Sequence, residues 1–163
     1  MSEPSVPDLQ RIKVARRVNA LLNQFVGVLD TKASMFLAGS VAAASFLLKD
    51  APHEFWCRVI YFTSLSAYSA SVVMAGATIF PRLPKTGNSV LFWGDISSHK
   101  DCGSYVSHFD SVLTSGCLDE QYLMQNFLTA KLLRRKYRCL RACIILFFLG
   151  LFTSFAVFLT VTK

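Results

Sequence analysis

Residues Ala142–Val161 read ACIILFFLGLFTSFAVFLTV, 20 residues without a charge or a proline. At about 1.5 Å rise per residue, a helix of that length covers the roughly 30 Å hydrocarbon core of a bilayer. The competing account is a buried helix in a soluble protein. A chain of 163 residues has too little mass to wrap several such runs in protein. Lys131, Arg134, Arg135, Lys136, Arg138 and Arg141 precede the run. Basic residues flanking a span stay on the cytoplasmic side, so this segment predicts a membrane and an orientation together.

Two further apolar runs follow the same logic. Ala33–Leu48 has 16 uncharged residues, short for a span unless its flanks contribute, and Val59–Phe80 has 22. The expected fold class is mainly α: an integral membrane helical protein with three transmembrane helices and a small cytosolic sensor region. The predicted order is a cytosolic amphipathic helix (1–32), a first span (33–48), an outer loop (49–58), a second span (59–80), a cytosolic region (81–141) and a third span (142–161). With the amino terminus inside, 14 of the 17 Lys and Arg residues fall in 1–32 and 81–141, the positive-inside pattern. The net charge of +7 follows from that rule without a nucleic-acid partner. Five cysteines, an odd number with no CxxC, argue against a disulfide framework. The polar start, Met1–Gln10, does not read as a cleavable signal peptide.

Ser5-Val6-Pro7-Asp8 reads as a helix start, with Ser5 as cap. Leu9, Ile12, Val18, Leu22, Phe25 and Leu29 then form an apolar stripe at helical spacing. Arg11, Lys13, Arg16 and Arg17 lie mostly off it, as a solvated or headgroup-facing side; contact with a ligand phosphate is the sharper alternative. Asp30 and Lys32 belong at the inner interface. An acid at that depth needs a partner, so Asp30 is expected to pair with a nearby base, the alternative being a functional role. Ala38/Ala42 and Gly39/Ala43 in the first span, and Ser66/Ala70, Ala67/Ser71 and Ser71/Ala75 in the second, are small residues four apart that let membrane helices approach closely. They suit ordinary packing, or a hydroxyl-lined interface in an oligomer. Pro81 ends the second span. Val90–Trp93 is expected as a short strand or a buried loop. Tyr105, Phe109, Val112 and Leu113 predict a short amphipathic helix closed by Gly116, and Asp119 and Glu120 start a helix that runs on into the third span.

Nucleotide-hydrolysing, dinucleotide-binding, zinc-protease and nucleophile-elbow motifs are absent, which makes an enzyme the minority reading. His99, Cys102 and His108 with Asp95 match no zinc spacing, and His53 reads as solvated in the outer loop. Arg82 and Asn88 sit in a Pro/Gly-rich loop, Phe92 and Trp93 offer ring faces, and Asp95 offers an acceptor to a base edge. Lys131, Arg134 and Arg138 recur at helical spacing. Stacking plus charge-assisted bonds suits a nucleotide. Core packing for the rings and topology determination for the bases are the plainer accounts.

The stretch from Leu22 through Asp30-Thr31-Lys32-Ala33-Ser34 resembles the "adTKAs" opening of the first span in the transmembrane Pycsar effectors. Phe80-Pro81-Arg82 and Asn88-Ser-Val-Leu-Phe92-Trp93-Gly94-Asp95-Ile96 are similar to that family's proline turn and "n-lff-g-i" segment. Tyr105 and Gln125…Lys136-Tyr137-Arg138…Arg141-Ala142 resemble its closing signature. The resemblance implies a multi-pass protein of the bacterial inner membrane, in an anti-phage abortive-infection system. A partner nucleotide cyclase, needing no physical contact, would supply cyclic UMP or cyclic CMP. The effector would bind it in the cytosol and impair the membrane. The small-residue faces add the expectation of a homo-oligomer among lipids, and the residues themselves that of no cofactor, metal or nucleic acid. The residues themselves, not the resemblance, supply the expected ligand set of Arg82, Asn88, Phe92, Trp93, Asp95, Lys131, Arg134 and Arg138, with Asp30, Lys32 and Pro81 as structural or coupling residues. The rivals are a ligand-independent, holin-like pore, a membrane scaffold subunit, and a hydrolase using His99 or His108.

Overall fold

The computed structural model describes residues 6–49, 52, 54–80 and 89–161. They form helices α1 (Val6–Leu47), α2 (Phe55–Ile79), α3 (Trp93–Ile96), α4 (Cys102–Thr114) and α5 (Leu118–Val161). Of the described residues 88% are helical and none lies in a strand. Helices α1, α2 and α5 are each long and apolar enough to cross a membrane. The protein is a mainly α membrane protein, as its apolar runs predict.

The two long helices exceed what a bilayer needs. At about 1.5 Å per residue, the 42 residues of α1 and the 44 of α5 each exceed 60 Å, about twice the hydrocarbon thickness. The polar stretch Asp30-Thr31-Lys32 interrupts the hydropathy of α1 but not its backbone. Thr31 and Ser34 donate back to the carbonyls of Gly27 and Asp30 at 3.0 and 2.9 Å. Helix α5 is likewise unbroken, with Asp119 and Glu120 in its first turn, where acids favour the positive helix end.

The chain divides into two compact units. One comprises Gly27–Pro81 and Arg134–Lys163, here the spanning unit. In it α2 turns one stripe inward: Cys57, Tyr61, Ser64, Ala67, Tyr68, Ser71, Ala75 and Thr78 are buried. Ser71 accepts from Ser40 at 3.0 Å and donates to the Cys143 carbonyl at 3.1 Å, tying all three helices together. Ser64 donates to Thr153 at 2.7 Å. Tyr68 is packed so closely over α5 that a Cβ at Gly150 would stand 2.9 Å from its ring. Gly39 makes the matching allowance on α1 for Phe147, at 3.3 Å. The small faces Ala67/Ser71 and Ser71/Ala75 are thus used inside the chain. Ser66 and Ala70 instead line an outward groove of about 620 Å³ with Phe62, Leu146 and Leu149. Phe55 and Trp56 stay exposed at one end of α2, where aromatic side chains suit a membrane interface.

The other unit comprises Met1–Val26 and Arg82–Leu133. Here the expected stripe on α1 needs correction. Val18 and Phe25 are 38% and 59% exposed. The seam that packs is Ile12, Ala15, Asn19, Leu22 and Val26, with alternating steps of three and four as in a coiled coil. Its buried contact with α5 goes to small Ala15 and hydrogen-bonded Asn19, which a search for large apolar side chains passes over. Asn126 on α5 donates to the Ala15 carbonyl at 2.9 Å and accepts from Asn19 at 3.0 Å. Arg11 pairs with Asp119 at 3.2 Å and Arg16 lies over the Tyr122 ring at 5.9 Å. Numbers rise together on both helices, so they run parallel, residue n of α1 level with residue n+107 or n+108 of α5. Helix α4 forms where Tyr105, Phe109 and Val112 predict it, capped by Asp101, which accepts from the Ser104 amide at 2.7 Å. Gly116 closes the turn with φ of +71°, a backbone region that glycine enters at little cost. The Ser5 cap, His53 and the Pro81 stop lie outside the described residues.

Candidate functional site

The proposed ring-bearing segment is a loop held from three sides, not a strand. Ser89 Oγ accepts from the Leu91 and Phe92 amides at 3.2 Å each, as a short polar side chain does at a turn. The Val90 amide donates to Gln121 Oε1 at 2.9 Å, and its carbonyl accepts from Tyr105 Oη at 3.2 Å. Val90 is buried, so these two side chains from α5 and α4 satisfy backbone groups that water cannot reach. The chain then enters α3 at Trp93.

The expected ligand residues fall out as follows. Arg82 and Asn88 lie outside the described residues, and so does the side chain of Trp93. Phe92 is half-buried; a Cβ at Gly94 would meet its ring at 2.6 Å, so the ring lies over glycine backbone. Asp95 is 3% exposed, and its Oδ2 accepts from the Ser89 amide at 3.1 Å. Its visible work is to close the loop on itself. Lys131, Arg134 and Arg138 are exposed on α5 at spacings of three and four, and none forms an ion pair with a described residue. Lys131 belongs to the unit that holds the loop, and Arg134 and Arg138 belong to the spanning unit.

Two features are not legible in the sequence as site residues. Tyr105 and Gln121 shape the loop, and only their contacts with Val90 reveal it. Lys136, in sequence one base among six, is 3% exposed and pairs with Asp30. Asp30 therefore has the basic partner its depth requires. Lys32 is exposed. His99 accepts or donates at Ser104 over 3.1 Å and its ring lies 5.4 Å from that of His108. His108 Nδ1 is buried without a partner among the described residues. Among those residues, no three of His, Cys, Asp or Glu gather closely enough to hold a metal ion.

One unit is thus a helical scaffold around a pinned loop, with Lys131 exposed on its part of α5, the other a three-helix apolar bundle with a polar seam. A family model described as Pycsar effector protein domain, PycTM, matches residues 14–163. No curated protein and no solved structure matches the chain.

Proposed function

Because this chain belongs to the Pycsar effector protein family and acts as an anti-phage effector in the membrane, we propose that it senses a cyclic pyrimidine mononucleotide and responds by breaching the bacterial inner membrane. The activating ligand is cyclic UMP or cyclic CMP, made by a separate cyclase. The amino terminus faces the cytoplasm, and the unit built on the 89–95 loop meets the ligand there. The observation that supports this most is that loop: a segment whose buried Val90 has both backbone groups bonded and which presents Phe92 within the non-spanning unit. A pinned loop is what a stacking platform requires, since ordering it on binding would cost affinity. Arg82, Asn88 and Trp93 extend the proposed site, with Lys131 of the same unit as a cation for the phosphate. Asp95 acts by shaping the loop. The protein works without catalysis, because a ligand that favours one packing state of the helices shifts their equilibrium by its differential affinity alone.

The test is thermal stability of the detergent-solubilised protein against cyclic mononucleotides and cyclic oligonucleotides. A ligand at 100 times its dissociation constant that binds only the folded state stabilises by about 2.7 kcal/mol. The expected result is a selective rise with cyclic UMP or cyclic CMP, lost in Arg82→Ala, and leakage of loaded liposomes with the same selectivity. A rise with a cyclic oligonucleotide instead, or leakage without any ligand, overturns the proposal.

A further inference from the structure

In the non-spanning unit, α1 carries a second apolar seam that no described residue covers. Val14, Val18, Leu21 and Phe25 follow one another at steps of four, three and four, and all are exposed, Val14 by 62%. Lipid tails do not cover this face, because Arg11, Lys13, Arg16 and Arg17 are interleaved with it and charges are expelled from hydrocarbon. On α5 of the same unit, Leu123, Met124 and Phe127 are also exposed, Phe127 by 64%. The two patches differ in charge. Exposed Lys13 and Arg17 flank the α1 seam, and exposed Glu120 flanks the α5 patch.

We infer that these two faces are the halves of one interface between copies of this chain: the α1 seam of one protomer packs on the Leu123–Phe127 patch of its neighbour. The membrane supplies the geometry. Copies inserted with one orientation are related by rotation about the membrane normal, which keeps equivalent residues at equal height. Within a protomer, residue n of α1 is level with residue n+107 or n+108 of α5. With neighbouring protomers packed through parallel α1 and α5 helices, the same registry carries over between them, and Glu120 comes level with Lys13. Phe127 comes level with the stretch between Val18 and Leu21. The parallel seam steps of three and four are those of knobs-into-holes packing, so each α1 is two-faced, with Ala15 and Asn19 toward its own α5 and Val14, Val18 and Leu21 toward the next. This rests on the membrane placement of the family and not on the nucleotide reading.

The experiment is photo-crosslinking of the full-length protein in native membrane vesicles, with Val18→benzoylphenylalanine as probe and the product mapped by mass spectrometry. The expected product is a dimer-sized species joined to a peptide containing Leu123–Phe127, present with or without cyclic nucleotide. Lys13→Glu with Arg17→Glu should weaken self-association about tenfold, since like charges then face each other, and Glu120→Lys added to them should restore the yield. Crosslinks to lipid alone, to α1 of another copy, or to no second chain overturn the interface. Loss of nucleotide response in the stability assay, with the crosslink intact, would count against the proposed ligand only.

Discussion

Lys136 on α5 and Asp30 on α1 form an ion pair in the spanning unit, with Lys136 buried and Asp30 about one-third exposed. It is the one described ion pair in that unit, and it joins two helices that also meet where Phe147 of α5 packs against Phe36, ring to ring at 5.4 Å, and over Gly39 of α1. Its cost is high, since a charge taken from water is stable only when paired and hydrogen-bonded.

Removing the carboxylate strands the buried ammonium. Asp30→Asn should therefore lower stability by about 2 kcal/mol or more, read as a drop in melting temperature in detergent. Asp30→Asn combined with Lys136→Met should recover much of that loss, because no uncompensated charge remains. A double variant as unstable as the single one would show that the pair is not the stabilising unit.

Glycine substitutions separate close packing from helix propensity. Gly150→Ala puts a methyl 2.9 Å from the buried Tyr68 ring and should destabilise by about 1–3 kcal/mol. Gly27→Ala meets nothing within 4 Å and should stabilise by up to about 1 kcal/mol, since alanine favours a helix over glycine. Thermal melts of the two variants should move in opposite directions.

Gln121→Leu leaves the buried Val90 amide without its acceptor, which costs about 1–3 kcal/mol. The loop loosens while the spanning helices stay intact. The expected outcome is normal membrane extraction behaviour with a weakened response to cyclic nucleotide. Tyr105→Phe, which removes one bond to the Val90 carbonyl, should act in the same direction and more mildly.

Asn126 satisfies both the Ala15 carbonyl and Asn19 within a tight helix pair. Asn126→Leu replaces these bonds with a larger apolar group in a position shaped for an amide. It should lower the melting temperature in detergent, and protease sensitivity should rise within Arg11–Val26 first.

How far the chain can be read without its fold differs by element. The run Ala142–Val161 is legible by itself, because hydrocarbon demands an uncharged helix about 30 Å long whatever surrounds it. The start of α5 at Asp119 and Glu120, helix α4 and its Gly116 closure are local physics of the same kind. Asp30 signals its need for a partner because burial of a charge is costly in any fold. Which of six nearby bases serves is not legible: Lys136 is selected by the facing of α1 on α5, and its neighbours Arg135 and Tyr137 stay exposed. The packed seam of α1 escapes the sequence for a related reason. Side-chain size ranks Val18 and Phe25 above Ala15, but two parallel helices in close contact bury what fits between them, and that is decided by the partner. The loop at Val90 follows suit, since Gln121 and Tyr105 reach it from 31 and 15 residues away. The sequence alone determined where the chain is apolar, where it turns and where charge needs company, because those are properties of short segments in a given solvent. Which residues meet was left to tertiary structure, because contact depends on the mutual register of long helices, and that register is set by close packing summed over their whole length.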